Sequence, residues 1–208
     1  VVDKSSLKSI FSGTLPGWIA QKVLCPPFRN EQLKINCIHK QEAAIGIILF
    51  NLNNELKVLF IERTNDGGPH SGQIAFPGGS KDLKDKSLID TAYREIYEEI
   101  GIAKESLEYI GELSSLYIPV SQFLVYPYVF YCTNFTNTII NFNEIKALHV
   151  FPVIDFYKKG ILTKSIINQN NCFYEVPCFV INNIIIWGAT SMIWNECLTI
   201  LKPLLVNE

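Results

Sequence analysis

The chain has 208 residues, 48% of them hydrophobic and 18% charged, with a formal net charge of −2. That composition suits one globular domain, residues 1–208, with a sizeable core, and it offers no basic excess for binding nucleic acid. No apolar run reaches the roughly 18 residues that a membrane helix requires, so no membrane partner is expected.

The chain opens Val1-Val2 without methionine, which fits a trimmed start, and nothing there reads as a signal peptide. Residues 1–42 form a helical or irregular extension packed on the core that follows. Leu7, Ile10 and Phe11 give a short helical pattern, and Leu15-Pro16-Gly17 and Cys25-Pro26-Pro27-Phe28-Arg29 then punctuate the segment. The prolines forbid one long helix. Ala43 to Phe50 and Leu56 to Arg63 are apolar, β-branched runs joined through Asn51-Leu52-Asn53-Asn54, which predicts a hairpin. After the loop Asn65-Asp66-Gly67-Gly68-Pro69, a short strand from Gln73 to Pro77 delivers the chain to the pair Gly78-Gly79, read as a glycine-rich turn. His70 in that loop is either a phosphate or adenine contact or a side chain that bonds the backbone and shapes the loop.

The next helix carries Glu95, Glu98 and Glu99 at i, i+3 and i+4. Their carboxylates crowd one side, while Ile89, Ala92, Ile96 and Ile100 fall on the other. Like charges at that spacing cost roughly 0.2–0.5 kcal/mol per pair, which a bound divalent cation turns into attraction. Carboxylate oxygens suit Mg²⁺ or Mn²⁺, and Mg²⁺ fills its remaining positions with water and phosphate oxygens. Taken alone, a glutamate run on an amphipathic helix is more often a solvated face; the glycine pair before it is what points to a site. Gly101 closes the helix.

Leu107 to Tyr117 and Leu124 to Cys132 read as strands, the second carrying an aromatic stripe better suited to sheet packing than to a ligand. Asn134 to Asn143 is a polar loop, and Glu144 opens a late strand. Phe173 to Ile181 and Ile184 to Trp187 form a hairpin turned at Asn182-Asn183, and Thr190 to Leu201 makes a closing helix. Six cysteines lack any C-x-x-C spacing, so free thiols in a reducing cytoplasm are expected, and no zinc site.

Together, the glycine pair and the glutamate helix resemble the signature of the Nudix hydrolases, G-x5-E-x7-R-E-U-x-E-E-x-G-U, with U aliphatic. Arg94, Glu95, Ile96, Glu98, Glu99, Gly101 and Ile102 match every fixed position of its second half. Counting back from Arg94 puts Ser80 and Lys86 at the first glycine and first glutamate. With one inserted residue, Gly79 and Asp85 take those places instead. That extension is similar to the coenzyme A diphosphatase branch, as are Leu59 to Thr64, His70 to Gly79 and Trp187-Gly188-Ala189-Thr190. Arg63 matches the first arginine of the branch's upstream motif; the second falls at Gly68.

The resemblance implies a Nudix-type α/β/α sandwich with a mixed sheet, of class α/β or α+β, whose core occupies residues 43–208. It implies Mg²⁺- or Mn²⁺-dependent hydrolysis of a diphosphate in coenzyme A or an acyl-CoA. Glu95, Glu99 and then Glu98 would hold the metal, and Arg94 would orient the loop acids. Arg63, His70, Gly78 and Gly79 would meet substrate. The general base stays open between a helix glutamate and Glu144, whose other reading is a solvated acid at a strand entrance. ADP-ribose, NADH or an oxidised nucleoside triphosphate are the alternative substrates, and a non-catalytic binding module is the alternative class. A homodimer is an expectation from the fold family alone.

Overall fold

The computed structural model describes residues 2–32, 41–65, 71–135, 138–158, 161–169 and 172–206. Three short helices come first: α1 (Lys4–Phe11), α2 (Trp18–Gln21) and α3 (Pro27–Gln32). Strand β1 (Gln41–Leu52) follows, starting two residues before the expected edge of the core, and turns into β2 (Glu55–Arg63). The hairpin turn is tighter than the four residues Asn51 to Asn54. Leu52 already pairs with Glu55, and only Asn53 and Asn54 turn, with φ of 52° and 64°. Asparagine tolerates that left-handed conformation, and two such residues match the twist of a hairpin. Asn182-Asn183 does the same, at φ of 50° and 63°, between β10 (Cys172–Ile181) and β11 (Ile184–Trp187).

Gly78 and Gly79 are not a turn. The run Gln73 to Pro77 contributes only β3 (Ile74–Ala75), and the glycines begin β4 (Gly78–Ser80), which pairs antiparallel with Ala43 to Ile45 of β1. Helix α4 (Leu88–Ile100) follows, capped by Ser87 and by Gly101 in the left-handed conformation at φ 72°.

The predicted strand Leu107 to Tyr117 divides into β5 (Leu107–Glu112) and β6 (Leu116–Ile118), both paired with β7 (Phe123–Cys132). The break has a cause in β7. Glu112 pairs with Tyr128 and Leu116 with Val125, so Pro127 lies opposite the gap. Proline cannot donate to a ladder, and the interruption leaves no neighbour there that requires its N–H.

Strand β8 (Ile145–Pro152) pairs with β2, β9 (Leu162–Gln169) pairs with β10, and α5 (Gly188–Leu205) closes the chain, running further at both ends than Thr190 to Leu201. Strands β3-β2-β1-β7-β5 form the spine of the main sheet. The β1–β7 pair is parallel and its neighbours antiparallel, so the sheet is mixed, as expected.

Strand β1 is apolar almost without interruption because both of its faces are covered. Ile47 and Leu49 join the core built with α5 residues such as Trp194 and Leu198, whereas Ala44, Ile48 and Phe50 join the core built with Ala92, Ile96 and Ile100 of α4. Alternate side chains of one strand thus feed two cores, the physical content of a sandwich. Among the described residues no helix is long and apolar enough to cross a membrane. Among the described residues Cys132, Cys178 and Cys197 are buried free thiols and Cys172 is an exposed one.

Candidate active site

The glutamates of α4 stand in three different environments. Glu99 is turned inward, its side chain 1% exposed, Glu95 is mostly covered, and Glu98 is more than half exposed. The helix wheel puts them on one side; the strands around the helix separate them.

Glu99 Oε2 accepts a hydrogen bond from the Gly78 N–H at 3.0 Å. That donor is free to point at the helix because Gly78 adopts φ 154°, a conformation that side-chain-bearing residues avoid. Its other oxygen lies 3.6 Å from Arg63 Nη1. Burial pushes the Glu99 carboxyl up to about 8, the charges of Glu95 and Glu144 add to that, and the Gly78 N–H and Arg63 oppose it. Burial likewise raises Glu95, against the pull of Arg94. Gly79 leaves room for Glu95, since a Cβ there would stand 2.5 Å from the Glu95 Oε1.

Arg94 is the hub of the polar side. Its Nε and Nη2 reach Asp85 at 3.0 and 2.9 Å, its Nη1 reaches Glu95 at 2.7 Å and Glu98 at 3.0 Å, and Nη2 also donates to the Ser80 carbonyl. Asp85 further accepts from the Thr91 hydroxyl and the Asp82 N–H, and Arg94, above all, holds its carboxyl far below the usual range. The acid of the extended loop therefore grips the arginine.

Arg63 is aimed at this cluster by an irregularity. Glu62 pairs with Ala147 but Arg63 with Ile145, so Lys146 is an extra residue on β8 and the ladder shifts at Arg63. Glu144 immediately precedes β8. The Thr64 N–H donates to its carbonyl, and Asn141 donates to its carboxylate at 3.0 Å. The same loop seals the end of α4, because the N–H groups of Ile139 and Asn141 bond the carbonyls of Ile100 and Glu99. Glu144 thereby stands close enough to raise Glu95 and Glu99.

A cavity of about 400 Å³ adjoins the cluster. Arg63, Gly78 and Gly79 line it from the carboxylate side, and Phe28, Phe123 and Trp187 are among its apolar walls. Arg29 and the corner Gly188-Ala189-Thr190 also reach it. Sequence reasoning missed Arg29 and Thr91. The Pro26-Pro27-Phe28 signal preceding Arg29 marked a bend, with nothing to say that the bend lines a cavity. His70 and Gly68 lie outside the described residues.

The donor set fits a hard divalent cation. Glu95 and Glu99 are one turn apart, both are raised by burial, and Gly79 keeps the space beside Glu95 open. Among the described residues no three His, Cys, Asp or Glu side chains are gathered closely enough to hold an ion by themselves. A cation here would complete its shell with water and phosphate oxygens, as Mg²⁺ commonly does.

The sequence profile of the NUDIX domain matches residues 40–168. Nudix hydrolase 3 of Caenorhabditis elegans is 29% identical over 196 residues, covering 86% of this chain and 80% of its own. The uncharacterized Nudix hydrolase NudL of Pectobacterium atrosepticum is 30% identical over 159 residues, covering 76% and 82%. Among solved structures, a MutT/nudix family protein from Enterococcus faecalis has a TM-score of 0.52 at 18% identity, covering 98% of this chain and 76% of its own. The hydrolase RenU of M. smegmatis has a TM-score of 0.52 at 14% identity, covering 81% and 91%. At those identities the two structures speak to fold alone.

Proposed function

Because the chain belongs to the Nudix hydrolases, enzymes that cleave pyrophosphate bonds in nucleoside diphosphate derivatives, we propose that its substrate is coenzyme A or an acyl-CoA. The products are then 4′-phosphopantetheine, or its acyl form, and adenosine 3′,5′-bisphosphate. One observation carries this reading: the arginine of the upstream motif, Arg63, is turned by the β8 bulge toward Glu99 and lines the same cavity as Gly78 and Gly79.

Arg63 binds and orients the diphosphate beside the glycine pair, whose lack of side chains leaves room for the phosphates. Glu95, Glu99 and Glu98 would hold Mg²⁺ or Mn²⁺, which supplies charge neutralisation at the phosphates and a lower pKa for the attacking water. A water oxygen bonds to one phosphorus, and the bridging P–O bond breaks with its electron pair leaving on the other phosphate. The water proton passes to a carboxylate that solvent reaches; Glu98 and Glu144 are the two exposed acids at the site. Arg94 keeps Glu95 and Glu98 in place through its grip on Asp85.

The test is incubation of the purified protein with coenzyme A and Mg²⁺, with both products identified by mass. Both are expected. Cleavage of ADP-ribose or NADH with coenzyme A left intact would transfer the assignment to another nucleoside diphosphate derivative, the reading that an uncharged Gly68 at the second motif arginine favours.

A further inference from the structure

Three charged residues are buried, backbone and side chain together, among the described residues: Arg29, Glu99 and Glu196. Two of them are provided for. Glu196 receives the Gly17 N–H at 2.9 Å, the Gln21 amide at 2.8 Å and the Ser114 N–H at 3.3 Å, and Glu99 has Gly78 and Arg63. Arg29 is not. It is 5% exposed, one Nη donates to the Tyr117 carbonyl, and its Nε has no partner. No carboxylate among the described residues pairs with it, and desolvation draws its guanidinium down to about 10. A guanidinium with an idle donor and no counter-charge is expensive to bury, and such groups are retained where something else completes them.

The position of Arg29 says what that is. It lines the cavity that Arg63, Gly78 and Gly79 line from the reacting side, so a substrate whose diphosphate lies at the glutamates extends toward it between Phe28, Phe123 and Trp187. We propose that Arg29 is a specificity-determining residue: it binds an anionic oxygen group, phosphate monoester or carboxylate, carried by the substrate away from the diphosphate that is cleaved. The planar fork of arginine suits either group, and a lysine would not reproduce it. The coenzyme A reading makes the ribose 3′-phosphate the first candidate, and to that extent the inference rests on it. A carboxylate at the end of an acyl chain is the second source of the same chemistry.

The experiment measures kcat/KM for matched pairs in the wild type, Arg29→Met and Arg29→Lys. The pairs are coenzyme A with 3′-dephospho-coenzyme A, succinyl-CoA with butyryl-CoA, and NADPH with NADH. The wild type should prefer the anion-bearing member of at least one pair by about tenfold or more, and Arg29→Met should abolish that preference, with Arg29→Lys restoring part of it. The responding pair identifies where the anion is carried. If Arg29→Met slows both members of every pair equally, or the wild type shows no preference in any pair, Arg29 only ties α3 to β6 and the inference fails. Because the nicotinamide pair reports independently, an enzyme that leaves coenzyme A uncut fails the proposed substrate without deciding the role of Arg29. Should Arg29→Met not melt cooperatively, the same ratios are read from Arg29→Lys, where a preference undiminished from wild type overturns the proposal.

Discussion

Glu99 is a carboxylate whose ionisation the fold opposes, and its pH behaviour follows from that. Its value in the folded protein is about 8, above the ordinary 4.5, so the folded protein keeps a proton that the unfolded chain has already given up. Without a divalent cation, stability from this group is complete below pH 4.5 and is lost as the pH rises through about 8. Glu95 is shifted in the same direction and adds to the slope. Urea unfolding across this window should show Glu99→Gln flattening the decline, since glutamine keeps an acceptor for the Gly78 N–H and has no charge to desolvate. The same variant should lose diphosphate cleavage by about 10²-fold or more. An unchanged slope would mean that Glu99 is already ionised in the folded protein.

At the scale of elements, the loop between β4 and α4 is held by one side chain. Arg94 joins the Ser80 carbonyl on β4 to Asp85 in the loop and to its own helix neighbours. The contact with Glu98 is exposed and is worth at most about 1 kcal/mol, but that with Asp85, whose side chain is 5% exposed, is not of that kind. Asp85→Asn should cost about 2 kcal/mol by urea denaturation. This is below the roughly 3–5 kcal/mol of a fully buried pair because Arg94 itself reaches solvent. It should also weaken cleavage by letting Glu95 and Glu98 shift. A loss confined to activity would place Asp85 in the chemistry instead of the scaffold.

These elements also show what a sequence can convey. Helix α4, with its apolar stripe and Gly101, was legible because period and cap are local. So were β7 and the turn Asn182-Asn183. Strand β3 was legible within the run Gln73 to Pro77, though it is only two residues long; β4 was not, because three residues become a strand only through the partner that β1 provides. Nothing in the polar run Leu162 to Gln169 announced β9, which exists by pairing with β10. On α4, the i, i+3, i+4 spacing of the three glutamates was legible. Which one is buried depends on the Gly78 N–H and on an arginine redirected by a bulge in a distant strand, and neither is written into the helix.

At the scale of the molecule, β1 collects the rest. It pairs with β2, β4 and β7, and its two faces feed both cores. A fragment ending at Gln122 retains Arg63, the glycine pair and all of α4, yet lacks β7, which supplies Val129 to one core and Phe130 to the other. It should unfold without a cooperative transition and cleave no diphosphate. A fragment that does either would show that the β1–β2–β4–α4 unit stands alone.

The parallel seam between these strands joins Gln41 to Phe123, and every carboxylate of α4 lies on the stretch of chain it encloses. The centre thus lies inside a ring of chain whose two ends pair across a large sequence separation, and a pairing of that kind is slow to form. Lengthening such a ring costs little, only about 0.6 kcal/mol for each doubling, so the extra residue between Asp85 and Arg94 is thermodynamically cheap. Loosening the seam itself, by contrast, would withdraw Phe130 from the core on which α4 rests, and a substitution far from the glutamates, on β7, would pass for a catalytic defect.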